Sequence, residues 1–193
     1  MSDTICALAT SQGGALNVIR VSGEKAFDIV SRIFVPRRGP GLTERRSHSA
    51  VFGDICTSGT EVLDEALLTV MRAPNSYTGE DTVEIQCHGS PAVLAEGLNA
   101  LFAAGAVPAK RGEFTKRAFL NGKLDLTQAE AVIDLIEADS ADAAANAAGQ
   151  VGGVLQKKLS PIYSELTDLC SHFHAVLDYP DEDIADFGLQ NYH

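Results

Sequence analysis

The sequence predicts an α+β protein: a mixed α/β N-terminal domain over residues 1–122, followed by the first part of an all-helical domain over residues 123–193. Two observations carry this. The first 120 or so residues alternate β-branched strand candidates, glycine turns and amphipathic stretches. From Thr127 to about Leu177 the composition turns to alanine, leucine and acidic residues at helical period.

Taken in order, Thr4 to Leu8 and Val18 to Val21 read as strands, joined by Ser11-Gln12-Gly13-Gly14, whose glycines allow a tight turn. A helix follows, with Ser22 as its N-cap and Ala26, Phe27, Val30, Ile33 and Phe34 on its apolar face. Val35 to Ser47 holds two prolines and four arginines without periodicity and reads as a surface loop. Ser49 to Ile55, Ala66 to Met71 and Thr82 to Gln86 are further strands, the second ended by the turn cluster Ala73-Pro74-Asn75-Ser76. Leu94, Leu98 and Leu101 then share a helix face, which Gly105 closes.

The helical region opens on a capping box, Thr127-x-x-Glu130. Ser160-Pro161 marks a kink or a fresh helix start, because proline removes a backbone donor. Ala141 to Val151 presents small side chains and needs a partner to pack against. With too few helices for a bundle before His193, this domain reads as unfinished.

No apolar run approaches the roughly 20 residues that span a bilayer, and the opening MSDTICALAT lacks the basic flank of a secretory signal. A cytoplasmic location with no membrane attachment is expected. Cys6, Cys56, Cys87 and Cys170 are far apart and form no CxxC pair, so reduced thiols are expected rather than a disulfide scaffold or zinc ribbon. Acidic residues outnumber basic ones 26 to 15, a formal charge of −11 that repels nucleic-acid phosphates over most of the surface.

One segment departs from that acidity. Lys110, Arg111, Lys116, Arg117 and Lys123 lie together with a single acid, Glu113, and make a third of the 15 basic residues. Their neighbours Arg111-Gly112-Glu113 and Asn121-Gly122-Lys123 read as loop residues, so the segment is either an anion site or a solvated basic face. Glu84 and Gln86 share one side of a strand that leads into Cys87-His88-Gly89, a strand-to-helix turn of the kind ligands occupy. A carboxylate there can accept two parallel bonds from the N–H edge of a pterin or guanine ring. Cys87 and His88 point to opposite faces, which disfavours a nucleophile–base pair. Cys170, His172 and His174, with Asp178, have partial metal-ligand spacing, but Leu169, Phe173 and Leu177 favour a packed helix. No P-loop is present, because Arg117 stands where Gly122-Lys123 would need a preceding glycine. Asp186-Phe187-Gly188 copies a kinase signature in letters alone.

Two long strings then point to a family. Pro74-Asn75-Ser76-Tyr77-Thr78-Gly79-Glu80-Asp81, continuing through Val83-Glu84-Ile85-Gln86-Cys87-His88-Gly89, is the first. Gly112-Glu113-Phe114-Thr115, continuing from Arg117 through Asn121-Gly122-Lys123-Leu124-Asp125 to Ala131, is the second. Together with Ile19-Arg20-Val21-Ser22-Gly23 and Asp178 to Ile184, they resemble the tRNA-modification GTPase family called MnmE or TrmE over nearly the whole chain. Two departures stand out: Ser11 to Asn17 replaces a Pro-Gly-Arg-Gly-Gly type loop, and Arg111 replaces a proline.

The resemblance implies a folate-binding and dimerisation domain, residues 1–122, whose contacts to a tetrahydrofolate derivative (5-formyl or 5,10-methylene) fall on Arg20, Glu84 and Lys123. It implies a homodimer, a flavin-containing partner protein, and tRNA engaged through the full complex. The implied reaction adds an aminomethyl-type group at C5 of a wobble uridine. GTP, Mg2+ and K+ would belong to a GTPase domain absent from these residues, so this fragment is expected to be inactive alone. A dimerisation scaffold without ligand binding is the competing reading. A stand-alone folate-dependent methyl-transfer enzyme is disfavoured because no nucleophile or acid–base pair stands out.

Overall fold

The computed structural model describes residues 3–57 and 61–178. They fall in two compact units, Met1–Asp125 and Leu126–His193.

The first unit is organised by one mixed sheet. Its strands are β1 (Ile5–Leu8), β2 (Leu16–Ser22), β3 (Phe34–Pro36), β4 (Ser49–Cys56), β5 (Val62–Met71), β6 (Thr82–His88) and β7 (Val107–Pro108), in spatial order β3-β4-β5-β6-β2-β1-β7. β1 pairs with β7 in parallel, and the other pairs are antiparallel. The period-two alternation of a strand sends successive side chains to opposite faces. One face therefore collects Ile19, Val21, Val83, Ile85, Leu68, Val70, Val51 and Ile55, all buried. Helices α1 (Ala26–Ser31) and α2 (Pro91–Ala103) cover it, adding Phe27, Val30, Leu94 and Leu101 to a single core.

Among the described residues the opposite face carries neither α1 nor α2, and Phe114 of the later helix 113–120 lies over Arg20 there. Across its strands runs a row Ala50, Thr69, Glu84, Arg20, Ala7, and beside it a row Phe52, Leu67, Gln86, Val18. Phe52 and Leu67 are exposed there.

α2 starts as its sequence dictates, with Pro91 at a first-turn position that has no use for a backbone donor. It stops where Gly105 takes φ +112° and Ala106 N–H reaches back to Leu101 O at 3.0 Å. α1 is shorter than its apolar spacing suggests. Ser22 is the buried last residue of β2, not a cap, and Phe34 belongs to β3. The Val35–Ser47 loop includes the end of that strand and a 3-10 turn, Leu42–Glu44, which buries Leu42.

The larger correction concerns the basic segment. Much of it is a helix, α3 (Glu113–Leu120). A Glu113–Arg117 ion pair at i,i+4 supports it. Gly112 (φ +69°) and Gly122 (φ +68°) bracket it, and Lys123 N–H closes the last turn on Ala118 O at 2.8 Å.

The second unit contains α4 (Leu126–Glu137), α5 (Ala141–Val151) and α6 (Val154–Asp178). Ala131 of α4 and Ala147 of α5 are buried, which is what small side chains allow when two helices approach closely. Ser140 caps α5 by accepting from Ala143 N–H at 3.2 Å. α4 is already helical at Leu126, so Thr127 lies inside it rather than at its cap. α6 continues through Pro161 without restarting and buries none of its residues, so Phe173 and Leu177 are exposed rather than buried. Tyr179 to Ile184 and Asp186-Phe187-Gly188 lie outside the described residues.

Candidate functional site

The pairing of β2 with β6 sets Arg20 directly opposite Glu84 on the open sheet face. The two side chains form an ion pair, with Arg20 Nε at 2.8 Å and Nη2 at 2.7 Å from the same oxygen, Glu84 Oε1. Among the described residues no side chain or backbone donor engages Oε2, so that oxygen is available to a ligand N–H. Each side chain retains about a quarter of its exposure, 23% for Arg20 and 24% for Glu84, so the pair is reachable from outside.

Two rings flank the guanidinium. Arg20 Cζ lies 5.1 Å from the centroid of Tyr77 and 5.4 Å from that of Phe114. Both distances are within cation–π range, and the rings give the charged pair an apolar surround that strengthens its electrostatics. Tyr77 comes from the 74–81 loop and Phe114 from α3, and the two segments are tied by a Tyr77 Oη···Thr115 Oγ1 bond of 2.9 Å.

The loop itself is held by a buried polar network. Ser22 Oγ bonds Thr78 Oγ1 at 2.7 Å and donates to Glu80 Oε2 at 2.7 Å. Arg117 of α3 donates to both Glu80 oxygens at 3.1 Å and to Glu113 Oε1 at 3.1 Å. Asn121 Nδ2 donates to Thr78 O at 2.7 Å, and Ser76 Oγ to Glu80 O at 2.6 Å. Gly79 has φ +77°, and a side chain there would press on Asn121 Cβ at 3.1 Å and Lys123 Cγ at 3.3 Å, so glycine lets the loop lie against the end of α3. Glu113 is held below its ordinary carboxylate range, first by the Lys110 backbone N–H it accepts and then by Arg117.

Lys123 sits beside this network. Its Nζ donates to Pro74 O at 3.1 Å, and it lines a shallow depression of about 420 Å³ with His48, Met71, Asn75, Ser76 and Tyr77. The structure thus brings Arg20 and Glu84 into contact and sets Lys123 on a neighbouring surface. Tyr77 connects them, facing Arg20 and also lining the depression.

Residue-level reasoning missed Tyr77, Phe114, Ser22 and Glu80 as site builders, and it named Arg117 in the basic segment without its carboxylate partners. Arg117 carried a usable signal, since a basic residue four positions after Glu113 is a helix pair. The Ser22–Glu80 bond carried none, because it joins segments 58 residues apart. Cys87 is 1% exposed, and burial, helped by Asp64, pushes its thiol up to about 11. A thiol so disfavoured as thiolate is a poor nucleophile at neutral pH. His88 faces the other way, with Nδ1 on Asp64 Oδ1 at 2.7 Å.

The same residue pattern occurs in known proteins. Residues 4–123 match the family described as GTP-binding protein TrmE N-terminus, and residues 126–192 match the MnmE helical domain. The chain belongs to the TrmE/MnmE family. It is 48% identical to the tRNA modification GTPase MnmE of Bacteroides thetaiotaomicron, over 94% of this chain and 39% of that protein. It is 47% identical to that of Symbiobacterium thermophilum over 93% of this chain and 39% of the relative. For a Thermus thermophilus MnmE the identity is 46% over 95% of this chain and 42% of the relative. The chain therefore spans about two fifths of the length of the MnmE relatives it matches, as their N-terminal part.

Proposed function

We propose that the sheet-bearing unit binds a tetrahydrofolate derivative as one-carbon donor for modification of wobble uridine C5 in tRNA. The observation that carries this reading is the Arg20–Glu84 pair, flanked by two aromatic rings and with Glu84 Oε2 open. A reduced pterin presents a flat ring with an N–H/NH₂ edge. Oε2 accepts from that edge, Arg20 holds the Glu84 carboxylate in place through Oε1, and the rings supply apolar surface against the pterin. Lys123, one ring away, takes a carbonyl or the carboxylates of the ligand's glutamate.

Within the parent protein this unit supplies the one-carbon group, while GTP hydrolysis with Mg2+ and K+ belongs to a separate GTPase domain. The flavin-containing partner protein and tRNA join in the full complex, in the cytoplasm. Homodimerisation uses the sheet-bearing unit. The open sheet face, with Phe52 and Leu67 exposed across adjacent strands, favours that reading.

Calorimetry with 5-formyltetrahydrofolate on the purified chain tests the binding. Saturable binding that falls at least tenfold in Glu84→Ala and in Lys123→Ala supports the assignment. Equal affinity in wild type and both variants refutes the site. A stable dimer by light scattering with no folate binding favours the scaffold reading instead.

A further inference from the structure

α3 separates two surfaces. One carries Phe114 and Thr115 toward Arg20 and Tyr77; along the other lies a second cavity of about 420 Å³, lined by Lys110, Arg111, Lys116, Arg117, Glu80 and Asn121 among others. Four cations face two carboxylates there. Glu80 and Glu113 both bind Arg117, whose side chain is 11% exposed, so Arg117 serves to anchor α3 to the 74–81 loop. Lys110, Arg111 and Lys116 are exposed, and no ion pair engages their side chains among the described residues. The cavity is thus a local excess of positive charge in a chain of net charge −11.

We infer that this cavity is an oligocarboxylate subsite, which takes the γ-linked glutamyl tail of a folate extended beyond its first glutamate. The inference rests on the folate reading above. The chain path supports it: Lys123, proposed to meet the first glutamate, lies two residues beyond Asn121, which lines the cavity, and both flank Gly79. A concave site suits a flexible run of carboxylates better than the extended backbone of a nucleic acid. The acidic remainder of the surface repels a long polyanion along its whole length, whereas it acts weakly on a short tail held more than about 10 Å away.

The test compares 5-formyltetrahydrofolate carrying one glutamate with the same compound carrying three, by calorimetry, in wild type and in the Arg111→Gln/Lys116→Gln variant. The triglutamate is expected to bind wild type roughly tenfold more tightly, as two added exposed ion pairs imply. The variant should lose that advantage while keeping its monoglutamate affinity, and added salt should weaken the triglutamate more than the monoglutamate. Equal binding of the two compounds by wild type, or an advantage that survives in the variant, overturns the subsite while leaving the folate reading intact. If neither compound binds, the folate reading fails. The subsite then falls with it, since a cavity that held the γ-glutamyl chain would have retained the triglutamate. Tight binding of a single-stranded RNA oligonucleotide, with no triglutamate advantage, overturns it in favour of a phosphate-backbone site.

Discussion

Replacing Glu80 with alanine should loosen the loop that carries Tyr77, because one carboxylate there connects three segments. It accepts from Ser22 on β2 and from Arg117 on α3, while sitting in the 74–81 loop itself. The groups are largely withdrawn from water, with side-chain exposures of 16% for Glu80 and 11% for Arg117, and Ser22 is 0% exposed. A hydrogen bond to a charged group contributes about 1.5–3 kcal/mol. Removing one partner of a buried pair costs about 3–5 kcal/mol. Arg117 retains Glu113, which lowers the expected loss to about 2–4 kcal/mol. At a urea slope of about 2 kcal/mol/M this moves the unfolding midpoint down by about 1–2 M. Labelling of Cys6 and Cys87 against urea reports this unit alone, since both thiols are buried in the sheet core. Glu80→Gln keeps an acceptor for Ser22 and should lose about half as much. A Glu80→Ala midpoint within about 0.3 M of wild type would refute the idea that the carboxylate holds the loop.

Gly89→Ala should destabilise the same unit by about 3 kcal/mol or more, because a Cβ there would stand 1.8 Å from Gly14 O and 2.4 Å from Asn17 Oδ1, so backbone must move. Equilibrium unfolding of the variant checks this; full stability would mean that the 11–17 loop is free to yield. In the native chain Cys170 should be labelled readily, while Cys6 and Cys87, pushed up to about 12 and about 11, stay protected until unfolding. Thiol titration with and without denaturant, with mass spectrometry to assign the sites, reads this out. Glu113 contributes stability that is present above its unfolded value near 4.5 and lost as pH falls through its lower folded value. Glu113→Gln should therefore lower stability at neutral pH and flatten its acid dependence below about pH 4.5, measured by unfolding across a pH series; an unchanged slope would count against the Lys110–Glu113–Arg117 arrangement.

The short-range physics of this chain was legible in its residues. β-branched, apolar runs bounded by turn residues located β2, β5 and β6. Leucines at helical spacing together with Gly105 located α2, and the alanine-rich composition announced the helical unit. Glu84 and the basic segment could be singled out as candidates from residue type, and the long motifs around Tyr77 and Phe114 marked the family. Each of these signals lies within a few residues of the structure it specifies.

What only the tertiary structure decided is which of those candidates meet. Register pairs Arg20 with Glu84 across 64 positions, and no local pattern encodes that alignment. Ser22 looked like a helix cap because a lone serine before an apolar run does; the sheet instead buried it against Thr78 and Glu80. α3 escaped notice because the glycines and asparagine that bracket it read as loop residues, and the helix gains further support from Arg117 reaching Glu80 in another segment. Hydrophobic pattern and turn chemistry act along the chain, whereas ion pairs, ring stacking and buried hydroxyl networks act through space. The sequence names the groups, and the pairing of the strands gives them their partners.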